Sequence, residues 1–176
     1  MNTTNTPSKT LPKTALLIAL AVVLAVIVTI GILYRSGMLA TRSRQAEVAA
    51  RGAQVMPFGL EQTTHVFQQL PDGGLQTVTA NDPANTEQIA LIQAHLQEEA
   101  VKFPRGDFGD PATIHGQDML GLADLKAGAT KIDVQYTALP DGGQIRYTTS
   151  DPALTMALHH WFAAQISDHG AHATDH

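Results

Sequence analysis

The chain has 176 residues, 15% of them charged and 5% aromatic, with a net charge of −5 and no cysteine. That length holds one ordinary domain and an attachment segment. The acidic balance excludes a broad nucleic-acid surface, so no nucleic-acid partner is expected; the missing cysteine excludes disulfides, thiolate metal sites, thiol catalysis and a lipid-modified cysteine.

Residues 1–13, MNTTNTPSKTLPK, are polar and predict a disordered tail. Residues 14–35 contain ALLIALAVVLAVIVTIGILY, twenty residues without a charge. At about 1.5 Å per residue such a helix covers the roughly 30 Å hydrocarbon core once. A single transmembrane helix is expected, with Lys9 and Lys13 before it, Arg35 after it and Tyr34 at the interface. The competing reading is a cleavable signal peptide, whose apolar core usually runs about 7–15 residues; no A-x-A site follows here. Arg35, Arg42, Arg44 and Arg51 follow the span, so the charge rule alone leans towards a cytoplasmic C-terminal domain. Residues 36–54 read as a helical stalk that stops at Gly52.

The folded domain is expected over residues 55–168. LPDGGLQTVTANDPANT, starting at Leu70, matches LPDGGQIRYTTSDPALT, starting at Leu139, at a constant offset of 69. Each copy reads as a strand, an Asp-Gly-Gly turn, a second strand and an Asp-Pro helix start. The first unit is placed at 60–103, a connecting segment at 104–130 with a short helix opening at Asp110, and the second unit at 131–168. The fold class is therefore α+β: a duplicated ββα–ββα domain, with a four-stranded antiparallel sheet and both helices on one face.

Alternation of Ile132, Val134 and Tyr136 with polar neighbours fixes the inward face of the second copy. Subtracting the offset places Thr63, His65, Phe67, Gln76 and Val78 inward in the first, with His65 in the place of Val134. At about 100° per residue, Ile89, Ile92, Leu96, Ala100 and Phe103 form one helix stripe, with His95 at its margin. Leu154, Leu158, Trp161, Phe162 and Ile166 form the other, with His159 at its edge and His160 outward. Residues 169–176 read as a disordered His-rich tail.

Imidazole is the commonest protein metal ligand, and a thioether adds a preference for Cu(I). The first candidates are His65, His115 and Met119, the last two within IHGQDM; His159 and the tail residues His169 and His172 follow. Copper is the expected ion and zinc the substitute. Met156 and His160 form a further i,i+4 pair, read as a surface accident. No G-x-S-x-G, P-loop or H-E-x-x-H occurs, and no two of the carboxylates Glu98, Glu99, Asp107, Asp110 and Asp118 are paired by pattern, so an enzyme is not the leading reading.

VMPFGLEQTTHVF, DPANTEQIALIQAHLQEEA, GDFGDPATIHGQDMLGL and LHHWFAAQISDHG together span about residues 45–170. They resemble a bacterial family of small secreted or membrane-anchored proteins, often labelled aspartate carbamoyltransferase. The chain has no STRT-type carbamoyl-phosphate loop and no HPxQ motif, and is too short for two α/β domains, so that activity does not come with the resemblance. What it implies is an export-type N-terminus, which outweighs the arginine count. The expectation is a single-pass protein of the bacterial inner membrane with a periplasmic, metal-binding domain. A protein-interaction module of an envelope complex is the alternative, and a small enzyme with a pocket and a carboxylate beside His65 is the third reading.

Overall fold

The computed structural model describes residues 13–176. The N-terminal tail expected over 1–13 lies outside them except for Lys13, where helix α1 (Lys13–Val55) begins. The chain forms two units, one ending at Arg42 and the other starting at Ser43. In the first, large apolar side chains such as Leu24, Ile27 and Leu33 are exposed, and the helix is long and apolar enough to cross a membrane. Its hydroxyls bond back to the helix, Thr29 to the Ala25 carbonyl at 2.8 Å and Ser36 to that of Ile32 at 2.9 Å.

The domain starts earlier than the sequence suggests. Val48 is fully buried and Gly52 is buried within the helix rather than ending it, so the second half of the expected stalk belongs to the core. Strands β1 (Thr63–Leu70) and β2 (Gly73–Ala80) form one hairpin, β3 (Asp133–Leu139) and β4 (Gly142–Thr148) the other. The sheet order is β3-β4-β2-β1-β5. It is five-stranded and mixed, not four-stranded and antiparallel. The extra strand, β5 (Ala173–Thr174), comes from the supposed tail. Gly170, at φ +58, turns the chain back after helix α5 (Pro152–His169) so that Ala173 pairs in parallel with His65. The added strand also covers the open edge of β1.

Gln76 pairs with Ile145, its own position one offset later, and Gly73 pairs with Thr148 as Thr79 pairs with Gly142. The glycines after each Pro-Asp turn are there for close approach as well as for turning. A Cβ on Gly73, at φ +147, would lie 2.1 Å from the Tyr147 carbonyl oxygen, and one on Gly74 would lie 2.3 Å from the Phe162 ring.

Helix α2 (Thr86–Lys102) packs over β4 and β3, whereas α5 packs over β1 and β2, so each helix covers the hairpin of the other half. Between them, α3 (Gly109–His115) and α4 (Leu122–Gly128) close the core around Leu122 and Leu125. Ile92, Leu96, Leu158, Trp161 and Phe162 are buried as the helical phasing requires. Each such side chain contributes about 1.5–3 kcal/mol.

The start of α2 departs from the repeat. Asp151 caps α5, accepting from the Ala153 N–H at 3.0 Å, with Pro152 at the first position. Asp82 instead closes a local turn onto the Ala84 N–H, and Asn85 caps α2 by accepting from the Gln88 N–H at 3.2 Å. Asn85→Ala is therefore expected to cost about 1 kcal/mol in urea denaturation, and Asp82→Ala clearly less.

Candidate functional site

A narrow cavity of about 50 Å³ lies between the sheet and the helices. Aromatic walls formed by Phe58, Phe67, Phe103 and Trp161 separate it from the rest of the core. Polar side chains collect at two ends.

At one end are His65, His115 and His169, exposed to 3%, 2% and 6% respectively. They arrive from β1, the last residue of α3 and the last residue of α5. The His169 ring lies between the others, its centroid 5.1 Å from that of His65 and 4.9 Å from that of His115. Burial drives all three towards the neutral form: His65 falls to about 4, His169 falls further, and His115 is lowered although Asp168 opposes the change.

Each ring has its own tether. Thr63 Oγ1 gives its one proton to a backbone carbonyl, of Gly59 or Leu60, and so accepts from His65 Nε2, 3.3 Å away. Asp168 Oδ2 accepts from His115 Nδ1 at 2.9 Å, leaving Nε2 of that ring as its lone pair. Arg44 holds Asp168 by two bonds of 3.0 and 2.8 Å and donates to the His115 carbonyl. Burial alone would raise the Asp168 carboxyl, but Arg44 and His115 overcome it and hold it below the usual range. His169 Nδ1 is buried with no hydrogen-bond partner in the protein. His172, in the turn before β5, is half-buried with Nε2 3.4 Å from Glu61 Oε1.

At the other end are His95, Glu99 and Asp110. Among the described residues, theirs are the three ligand-type atoms that all lie within 4.8 Å of one another; the nitrogens of the histidine group are less tightly gathered. Glu99 is 4% exposed and sits on the apolar stripe of α2, facing Asp110 in the first turn of α3. Burial, with Asp110 hydrogen-bonded beside it, raises the Glu99 carboxyl to about 8, so the pair shares a proton near neutrality. Lys102 Nζ bridges Asp110 at 2.9 Å, Glu99 at 3.2 Å and the exposed Glu98 at 2.9 Å. Phe58 stands between the two ends, 6.0 Å from the His65 ring and 5.5 Å from that of His95. Trp161 also lines the cavity, and its Nε1 is buried without an acceptor.

No family model, curated protein or solved structure matches this chain.

Of the six residues singled out as ligands, His65, His115 and His169 line one cavity together, and His172, Met119 and His159 are not on its wall. Gly116, at φ +98, ends α3 directly after His115, so His115 and Met119 never share a helical face. Met119 is buried beside another cleft, lined also by Arg44, Asp118 and His160. His159 Nε2 lies 3.0 Å from both the Leu70 and Gly73 carbonyl oxygens and braces the first hairpin turn. His160 and Met156 are exposed. The pattern reading left Glu99 and Asp110 unpaired. The overlooked signal is a glutamate in the inward series Ile92, Leu96, Glu99 and Phe103, where an apolar residue is expected. Met56, directly after α1, is the only methionine on the cavity wall among the described residues.

Proposed function

We propose that this protein is a membrane-anchored, extracytoplasmic domain that binds copper at the imidazole end of its cavity, with His65, His115 and His169 as ligands. Met56, on the cavity wall, replaces Met119 as the candidate soft donor. One observation carries the reading: three neutral imidazoles from three separate elements meet in a buried cavity, and His169 Nδ1 there has no protein partner. A buried polar atom without a partner costs about 1–3 kcal/mol, a cost that a bound ion removes. The Asp168–His115 pair has the form of a carboxylate that orients a ligating imidazole and raises its basicity. Zinc suits the same nitrogens and is the natural competitor.

The membrane anchor rests on α1 and the export-type N-terminus on the family resemblance. The same reading takes the two ββα halves as copies of one unit. The self-mapping register of β2 against β4 supports this, and the different caps of α2 and α5 mark how far the copies have diverged.

The test is copper and zinc titration of the full chain in detergent, purified without a His-tag, with bound metal counted by elemental analysis. One copper per chain is expected at this end. His115→Ala with His169→Ala is expected to weaken it about 100-fold or more, and His159→Ala to leave it unchanged. Equal copper affinity in the wild type and the double variant would overturn the proposal.

A further inference from the structure

We infer that the acidic end of the cavity is a second, independent cation site, in which His95, Glu99 and Asp110 hold one hard-to-borderline divalent ion, zinc or manganese. This goes beyond the copper reading and does not require it. The donor set is one imidazole nitrogen and two carboxylate oxygens, with no sulfur, a combination that suits zinc, manganese or ferrous iron rather than Cu(I).

The geometry is already close to that of a site. The three ligand atoms lie within 4.8 Å of one another, and two of the side chains are fixed by helical spacing, since His95 and Glu99 stand one turn apart on α2. The third, Asp110, is carried in by α3 and begins its first turn. Glu99 is 4% exposed and sits among apolar neighbours, where the carboxyl pair still carries one negative charge when it shares a proton and needs a cation beside it.

Lys102 fills that part in the metal-free protein, and its other contacts show how it can leave. It already reaches Glu98, which is largely exposed, at 2.9 Å. Its ammonium can therefore keep one carboxylate partner outside the cavity while a divalent ion takes its place between Glu99 and Asp110. A second, independent observation points to a ligand in the same cavity. Trp161 is fully buried, yet its Nε1–H has no acceptor. An indole N–H cannot bind a cation, but it can donate to a metal-bound water or hydroxide, which a site with three protein ligands keeps.

The experiment uses the full chain in detergent. Zinc is titrated with elemental analysis as the count, and manganese is followed by the loss of its free electron-spin-resonance signal. Wild type is expected to take one zinc at this end, and the His115→Ala, His169→Ala variant to retain it. Glu99→Gln keeps the shape of a protonated carboxyl and is expected to weaken manganese and zinc binding by about 100-fold without touching copper at the imidazole end. Lys102→Met removes the competing ammonium and is expected to tighten binding by about tenfold, an outcome that a purely structural polar cluster would not give. Melting curves of each variant without metal separate folding from binding. Zinc and manganese affinities identical in wild type, Glu99→Gln and Lys102→Met would overturn the inference, whether or not copper binds at the histidines. Loss of copper alone in His115→Ala, His169→Ala would leave it standing.

Discussion

Trp161→Ala is expected to cost about 3–5 kcal/mol of unfolding free energy, whereas Trp161→Phe is expected to stay within about 1 kcal/mol of wild type. The indole is fully buried on α5, between Tyr147 of β4 and the Phe103–Phe108 stretch that follows α2. Its ring stands edge-on to Phe103 at 5.8 Å, Phe108 at 5.9 Å and Tyr147 at 5.8 Å, and tilts against Phe162 at 5.6 Å. Alanine would remove all four contacts and enlarge the cavity beside them. Against a typical total stability of about 5–15 kcal/mol, that is enough to leave a sizeable unfolded fraction. Phenylalanine loses part of the ring but also deletes an N–H that has no acceptor, and an unpaired buried donor costs about 1–3 kcal/mol. The two changes oppose each other. Urea titration of the full chain in detergent measures both variants. A phenylalanine variant as unstable as the alanine one would mean that the Nε1–H is satisfied in solution, which removes the second support for the cation site beside it.

The parts of this fold that follow from local chemistry are readable in the sequence, and the parts that depend on distant pairing are not. His65 is inward because alternation in the second hairpin, carried back by the offset, puts it at the position of Val134. Both helix stripes face the sheet for the same periodic reason. His169 and His172 carry no such pattern. DHGAHATDH looks solvated because only two of its residues join the sheet, and that pairing depends on β1, a hundred residues upstream. Met119 follows His115 at helical spacing, but Gly116 interrupts the helix, and propensity alone does not say on which side the chain leaves it. The His95, Glu99 and Asp110 group is partly legible. The first two share a helix face by spacing, whereas Asp110 reaches them only because the 3₁₀ turn Phe103–Arg105 and Gly106, at φ +77, fold α3 back onto α2.

The same buried groups make the metal-free protein most stable near pH 6.5 and less stable on both sides. His65 titrates at about 4 in the fold against 6.5 when unfolded, because burial penalises its charge, and His169 is lowered further for the same reason. Below pH 6.5 the unfolded chain therefore takes up protons that the folded chain refuses. Their contribution is complete above 6.5 and is lost as the pH falls towards the folded values. Glu99 acts in the opposite sense. Burial raises it from 4.5 to about 8, so the fold keeps a proton that the unfolded chain releases above 4.5, and its contribution fades as the pH rises towards 8. From 4.5 to 6.5 two imidazoles outweigh one carboxyl by about one proton, and stability rises by on the order of 1 kcal/mol per pH unit. His95 and His115, both lowered by burial, steepen that limb. From 6.5 to 8 Glu99 acts alone and stability falls with a similar slope. Urea midpoints at pH 5, 6.5 and 8, with a chelator present, trace the curve. Glu99→Gln is expected to flatten the alkaline limb and to steepen the acid limb, where Glu99 no longer opposes the imidazoles, and His169→Phe to flatten the acid limb and leave the alkaline limb in place. An alkaline limb unchanged by Glu99→Gln would show that Glu99 is ionised in the fold, with Lys102 rather than a shared proton meeting its charge. In that case a divalent ion at this end would have to displace the ammonium from an intact ion pair.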